Sequence, residues 1–109
     1  DNVKLQGYLP NSVINQGSSD VPTEFLLHQN YPNPFNPTTT IRFAVPQQSG
    51  VSLMVYDALG QQVRELVNED MAPGTYSVDF DGAGLSSGLY FTVLRAGSVT
   101  LTRKMMLVK

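Results

Sequence analysis

The 109 residues carry 41% hydrophobic and 15% charged side chains with a formal net charge of −2, enough for one packed domain and too short for two. A charged fraction below the usual ~25% and an acidic balance exclude a nucleic-acid surface, which needs a basic patch. With no cysteine, a disulfide framework, a thiolate nucleophile and a Cys-based metal site are excluded as well.

The charges are unevenly placed. Residues 1–81 hold all nine acids against Lys4, Arg42 and Arg64, whereas residues 82–109 hold Arg95, Arg103, Lys104 and Lys109 with no acid. Such asymmetry is read either as a partner-facing end or as a strand edge blunted by cations. No apolar stretch approaches the ~20 residues of a spanning helix, so no transmembrane segment is expected. The chain opens at Asp1 without a signal-peptide pattern, so it is expected to end a longer precursor whose export signal lies upstream.

Residues 1–23 read as a linker or the end of a preceding domain. Asn11, Ser12, Asn15, Gln16, Gly17, Ser18, Ser19 and Asp20 bury too little apolar surface to offset their ordering entropy, and residues 3–8 alternate like a strand. The C-terminal domain then spans 24–109. Strands are expected at 25–29, 38–45, 51–56, 62–67, 74–80, 88–95 and 99–108, because side chains in a strand alternate between two faces. Ile41, Phe43 and Val45 align on one face, as do Val51, Leu53 and Val55, and Tyr76, Val78 and Phe80. In 88–95 the aligned set is taken as Leu89, Phe91 and Val93. Val63, Leu66 and Val67 also fit one helical turn. Pro46 to Gly50 and Ala72-Pro73-Gly74 read as turns, Asp57-Ala58-Leu59-Gly60 has the residue preferences of a type I turn, and Ala96-Gly97 reads as a hairpin. About seven short antiparallel strands with Gly and Pro turns predict an all-β fold, an immunoglobulin-like β-sandwich.

Catalytic chemistry has little to stand on. His28 is the only histidine, and nothing marks a nucleophile or an orienting acid for it. Asp79 and Asp81 share a strand face, but calcium needs 6–8 oxygen ligands and no EF-hand spacing is present. They read more simply as a solvated strand end. No enzyme, metal or cofactor is assigned. Sugar binding by a small β-sandwich uses exposed aromatic platforms; Trp is absent and five tyrosines remain. The tract Tyr31-Pro32-Asn33-Pro34-Phe35-Asn36-Pro37 stands out, because its prolines stiffen the backbone and remove N–H donors. It reads as a rigid crossover, a preformed recognition loop, or both.

Five ordered segments complete the pattern: Leu27 to Thr39 followed by Ile41-Arg42-Phe43; Val55-Tyr56-Asp57-Ala58-Leu59-Gly60; Pro73-Gly74-Thr75-Tyr76; Leu85-Ser86-Ser87-Gly88-Leu89-Tyr90-Phe91; and Lys104-Met105-Met106-Leu107-Val108-Lys109. Together they resemble the type A C-terminal sorting domains of the bacterial type IX secretion system of Bacteroidetes and relatives, whose immunoglobulin-like fold is shared with flagellar-hook capping proteins. The resemblance implies a non-catalytic signal carried behind an upstream cargo domain and read by the outer-membrane translocon. It also implies cleavage by a sortase-like protease and release or attachment of the cargo at the cell surface. The family's shared motifs fall on Pro73, Gly74, Tyr76, Gly88, Tyr90 and residues 104–109, and Phe80 stands where many members have Trp. The expected recognition residues are these, with Arg103, Lys104, Val108 and Lys109 from the last segment, and Asn33, Pro34, Phe35, Asn36 and Pro37 from the proline tract. Cleavage is expected within residues 17–24. The last strand is expected to dock by strand addition, with Arg103, Lys104 and Lys109 selecting an acidic partner. The alternatives are a carbohydrate-binding or cell-adhesion module and a spacer or oligomerisation domain.

Overall fold

The computed structural model describes residues 21–109; the expectations for the linker, the alternating residues 3–8 and most of the cleavage segment lie outside them. Seven strands follow in chain order: β1 (Leu26–Leu27), β2 (Thr38–Val45), β3 (Ser49–Asp57), β4 (Gln62–Met71), β5 (Gly74–Asp81), β6 (Gly88–Ala96) and β7 (Val99–Leu107). They form two antiparallel sheets, β1-β2-β5 and β4-β3-β6-β7. Lettered in immunoglobulin fashion, this is A-B-E packed on C′-C-F-G, so the architecture is an immunoglobulin-like sandwich.

The core follows from period-two alternation. Ile41, Phe43 and Val45 from β2 meet Val51, Leu53 and Val55 from β3, each at most 2% exposed. Tyr76, Val78 and Phe80 of β5 pair with Phe43, Ile41 and Thr39 and close the same layer. In β6 the sequence expectation is corrected. The side chains turned inward are Tyr90, Thr92, Leu94 and Ala96, at 6, 1, 0 and 3% exposure, while Leu89, Phe91 and Val93 face outward. Both faces of this strand are apolar, and alternation cannot choose between two apolar faces.

The helix-like spacing of Val63, Leu66 and Val67 also has a physical reason. Register shifts fall between Leu53 and Met54 and between Val55 and Tyr56, which leaves Leu66 and Val63 without partners. Two bulges in β4 thus turn extra apolar residues toward the core. The β3–β4 turn closes as expected from its residue types: Gly60 N donates to Asp57 O at 3.0 Å, and the Asp57 carboxylate accepts from Leu59 N and Gln61 N, each at 2.9 Å. Gly60 sits at φ 85°, a left-handed position that a side chain would strain.

Candidate recognition surface

The proline tract is built into the sandwich by the few donors that its prolines leave. Tyr31 N donates to Thr40 O and Thr40 N to Tyr31 O, both at 3.0 Å, which holds the start of the tract on β2. Below it Asn30 is buried, with Nδ2 donating to Pro32 O at 3.1 Å and to Thr39 Oγ1 at 3.0 Å. The Thr39 hydroxyl in turn donates to Pro32 O at 2.8 Å. Buried polar groups need such partners, and these two residues fix the tract's backbone. Sequence reasoning passed over both; a polar residue just before and just after the proline run was the available signal.

The far end of the tract lies along β7. Phe35 N donates to Met106 O and Val108 N donates to Phe35 O, both at 2.9 Å, forming a parallel bridge between Phe35 and Leu107. Next to this bridge the Asn33 side chain extends the ladder as an acceptor: its Oδ1 accepts from Met106 N at 3.0 Å. Gln29 Nε2 donates to Lys104 O at 2.6 Å. The Phe35 ring enters the core at 1% exposure, 5.7 Å from the Phe80 ring at a tilt of 55°, a favourable aromatic geometry. Phe80 is therefore the tract's packing partner. Gly82 completes the seat: its N donates to Pro37 O at 2.8 Å, and a Cβ placed there would come within 3.1 Å of Leu107 Cδ2.

This arrangement revises the picture of an open last strand. The outward N–H and C=O of Met106 and the carbonyl of Lys104 are already taken by residues 29–35, so strand addition could use only the stretch around Thr100 and Thr102. The basic residues divide too. Arg103 Nε donates to Leu27 O at 2.8 Å and so cross-links the two sheets. Lys109 Nζ donates to Ala83 O at 2.7 Å. Among the described residues, the Lys104 ammonium has neither a hydrogen-bond nor an ion-pair partner. Asn33, Pro34 and Asn36 are exposed beside Lys104, Met106 and Val108, whereas Phe35 is out of a partner's reach.

The remaining motif residues form two corners. Tyr90 OH donates to Ser86 O at 2.7 Å and Tyr76 OH to Ala72 O at 2.6 Å. Each phenol reaches back four residues in the manner of the tyrosine corner of immunoglobulin folds. Gly88 and Tyr90 pair with Leu107 and Met105, so that corner adjoins the tract. Pro73, Gly74 and Tyr76 do not: Tyr76 stacks on Phe43 with ring centroids 5.5 Å apart and lies four residues along β5 from Phe80, about 13 Å away. Burial, then the neighbouring Glu69 charge, raises the Tyr76 phenol above its ordinary pKa.

The carboxylates considered for chemistry are engaged locally. Asp79 accepts from Thr40 Oγ1 and Asp81 from Ala83 N, each at 2.9 Å. Among the described residues no three His, Cys, Asp or Glu side chains are grouped to hold a metal ion. No helix there is long and apolar enough to cross a membrane.

The family described as "Secretion system C-terminal sorting domain" matches residues 29–109. The chain belongs to that family. The sorting domain is the C-terminal signal of type IX secretion, and it directs its cargo through the outer membrane to the cell surface or the extracellular space. This agrees with the resemblance carried by the sequence motifs and does not favour the carbohydrate-binding alternative. Among solved structures, the Ig1 domain of mouse SynCAM 2 is similar at 16% identity with a TM-score of 0.42, covering 80% of this chain and 95% of that one. No curated protein matches the sequence significantly.

Proposed function

We propose that the type IX outer-membrane translocon reads this sorting domain as a folded unit, through the surface where the proline tract lies along β7. The observation that carries this reading is the junction itself. The two most distinctive segments of the sequence, separated by 73 to 75 residues, are hydrogen-bonded into one surface. On it Asn33, Pro34, Asn36, Lys104 and Val108 are exposed, while Phe35, Pro37, Gly88 and Tyr90 hold the backbone beneath. Adding a foreign strand along the C-terminal half of β7 would displace residues 29–35, so recognition falls to side chains, with Lys104 meeting an acidic group. The domain spans 24–109 and is non-catalytic; the upstream cargo is severed from it within residues 17–24 by a sortase-like protease.

The test is a cargo transplant. The 109-residue chain is fused behind a periplasmic fluorescent protein in a host with type IX secretion, alongside Asn33→Ala and Lys104→Glu versions. Fluorescence on cells or in the medium, absent from a translocon-deficient strain and reduced at least several-fold in folded variants, supports the surface. Full export of both folded variants places recognition elsewhere on the domain.

A further inference from the structure

Outward sheet faces of a sandwich are ordinarily polar, and the three-stranded sheet obeys, turning Thr38, Thr40, Arg42, Ser77 and Asp79 outward. The four-stranded sheet does not. Cross-strand partners share a face, and the pairs Tyr56↔Phe91, Met54↔Val93 and Leu89↔Met106 set six apolar side chains on its outer side. Arg95 and Tyr56 reach toward each other along this face, with Nη1 donating to the phenol at 3.0 Å and the guanidinium 5.8 Å from the ring centroid. They cover Met54 and Val93, each 8% exposed. The end of the face beyond them stays open: Met106 is 41% exposed, and the adjoining β3–β4 turn presents Leu59 at 85%, the most exposed large hydrophobic side chain among the described residues.

Charge is graded across the same face. On the β4 edge, Glu65 lies opposite Met54 and Asp70 opposite Gly50. Toward the β7 edge, Lys104 lies opposite Phe91 and Arg95 opposite Thr100. The order from edge to edge is acid, apolar, base.

We propose that this face pairs with the same face of a second copy of the domain, about a two-fold axis parallel to the strands. That rotation lays β4 of one copy over β7 of the other. Glu65, level with Thr102 through Met54 and Val93, then lies two residue steps along the strand from Lys104 of the second copy, a gap that two long side chains span, and Leu59 falls over the Leu89–Met106 pair. Every contact occurs twice, as an isologous interface requires. The occupant is a second copy because the acid–apolar–base order is its own complement under this rotation. Size is sufficient: four strands ~4.8 Å apart and nine residues at ~3.3 Å each outline about 570 Å². Two copies would then bury about 1,100 Å², near the ~1,000 Å² lower bound for a specific interface. The face shares Lys104 with the surface proposed for the translocon, so the pairing is tested on the isolated chain, where no translocon is present, and by Leu59 and Glu65, which lie outside that surface.

Sedimentation of the 109-residue chain from roughly 10 µM to 1 mM, the range fitting so small an interface, tests the pairing. The mass is expected to rise from monomer to dimer and to stop there. Leu59→Ser, at an exposed turn that leaves the fold intact by circular dichroism, weakens association several-fold. Lys104→Glu weakens it roughly tenfold by turning two attractions into repulsions, and Glu65→Lys does the same. The double reversal Glu65→Lys with Lys104→Glu restores it. A monomer at every concentration overturns the proposal, as does a dimer indifferent to Leu59→Ser or one that the double reversal fails to restore.

Discussion

The proline tract at 31–37 and the corner at Pro73 to Tyr76 are both short, proline-bearing motifs, yet they are tied down in opposite ways. The corner's hydrogen bond closes within five residues, by a phenol donating to a carbonyl four positions back, while its ring stacks on Phe43 of the adjacent strand. The tract is satisfied across the chain, by a bond from Met106 N to Asn33 Oδ1 and a buried ring against Phe80. A local motif stabilises the place where it occurs. A long-range one makes a surface from pieces that have no meaning apart, which is the property that the proposed reading of a folded signal requires.

The comparison is broken most severely at Phe35. Phe35→Ala removes the ring that holds the tract against β7 and should cost about 3–5 kcal/mol. Denaturant unfolding should register that loss, and the Met106 and Val108 amides should exchange freely. A loss below about 1 kcal/mol would mean that the hydrogen bonds alone hold the tract. Gly82→Ala attacks the same seat from the other side. Its Cβ would meet Leu107 Cδ2 at 3.1 Å and both Phe35 Cε2 and Pro37 O at 3.4 Å; with both side chains buried and the third contact backbone, about 1–3 kcal/mol of overpacking is expected. Equal stability of Gly82→Ala in a urea titration would show that β7's end yields easily.

Tyr90→Phe and Tyr76→Phe probe the two corners. Each deletes one hydrogen bond and should cost about 0.5–1.5 kcal/mol. Tyr90→Phe should also lower protection at Met105, its partner on β7, whereas Tyr76→Phe leaves β7 untouched. Amide exchange separates the two cases, and identical patterns would mean that the corners are not independent.

How much of this was legible in the sequence depends on the range of each interaction. The seven strands, the Asp57–Gly60 turn and three of the four inward faces followed from alternation and turn chemistry, which are local. The face of β6 did not, because Leu89, Phe91 and Val93 are as apolar as Tyr90, Leu94 and Ala96, and the outward set is unusual for a sandwich. The proline tract was recognisable as distinctive, but its partner was not. Nothing in residues 29–37 names β7, and Phe35 reads as a loop aromatic until Phe80 and Leu107 are beside it. The contacts of the basic strand were hidden in a related way: Arg103 and Lys109 donate to the carbonyls of Leu27 and Ala83, which lie 76 and 26 residues away in sequence.

The smallest effect sharpens the contrast from the corner's side. Burial and then Glu69 raise the Tyr76 phenol above its ordinary pKa, so the fold prefers the neutral form. Unfolded Tyr76 releases its proton near pH ~10, before folded Tyr76 does. Its contribution is therefore intact below that pH and is lost as pH rises from the unfolded value through the folded one. Between about pH 8 and pH 11 the wild type should lose more stability than Tyr76→Phe, since the variant has no proton there to release. Glu69→Gln should narrow that difference only in part, because burial is the larger cause. Urea midpoints at the two pH values decide it: parallel losses in wild type and Tyr76→Phe would mean that the phenol titrates as it does in the unfolded chain.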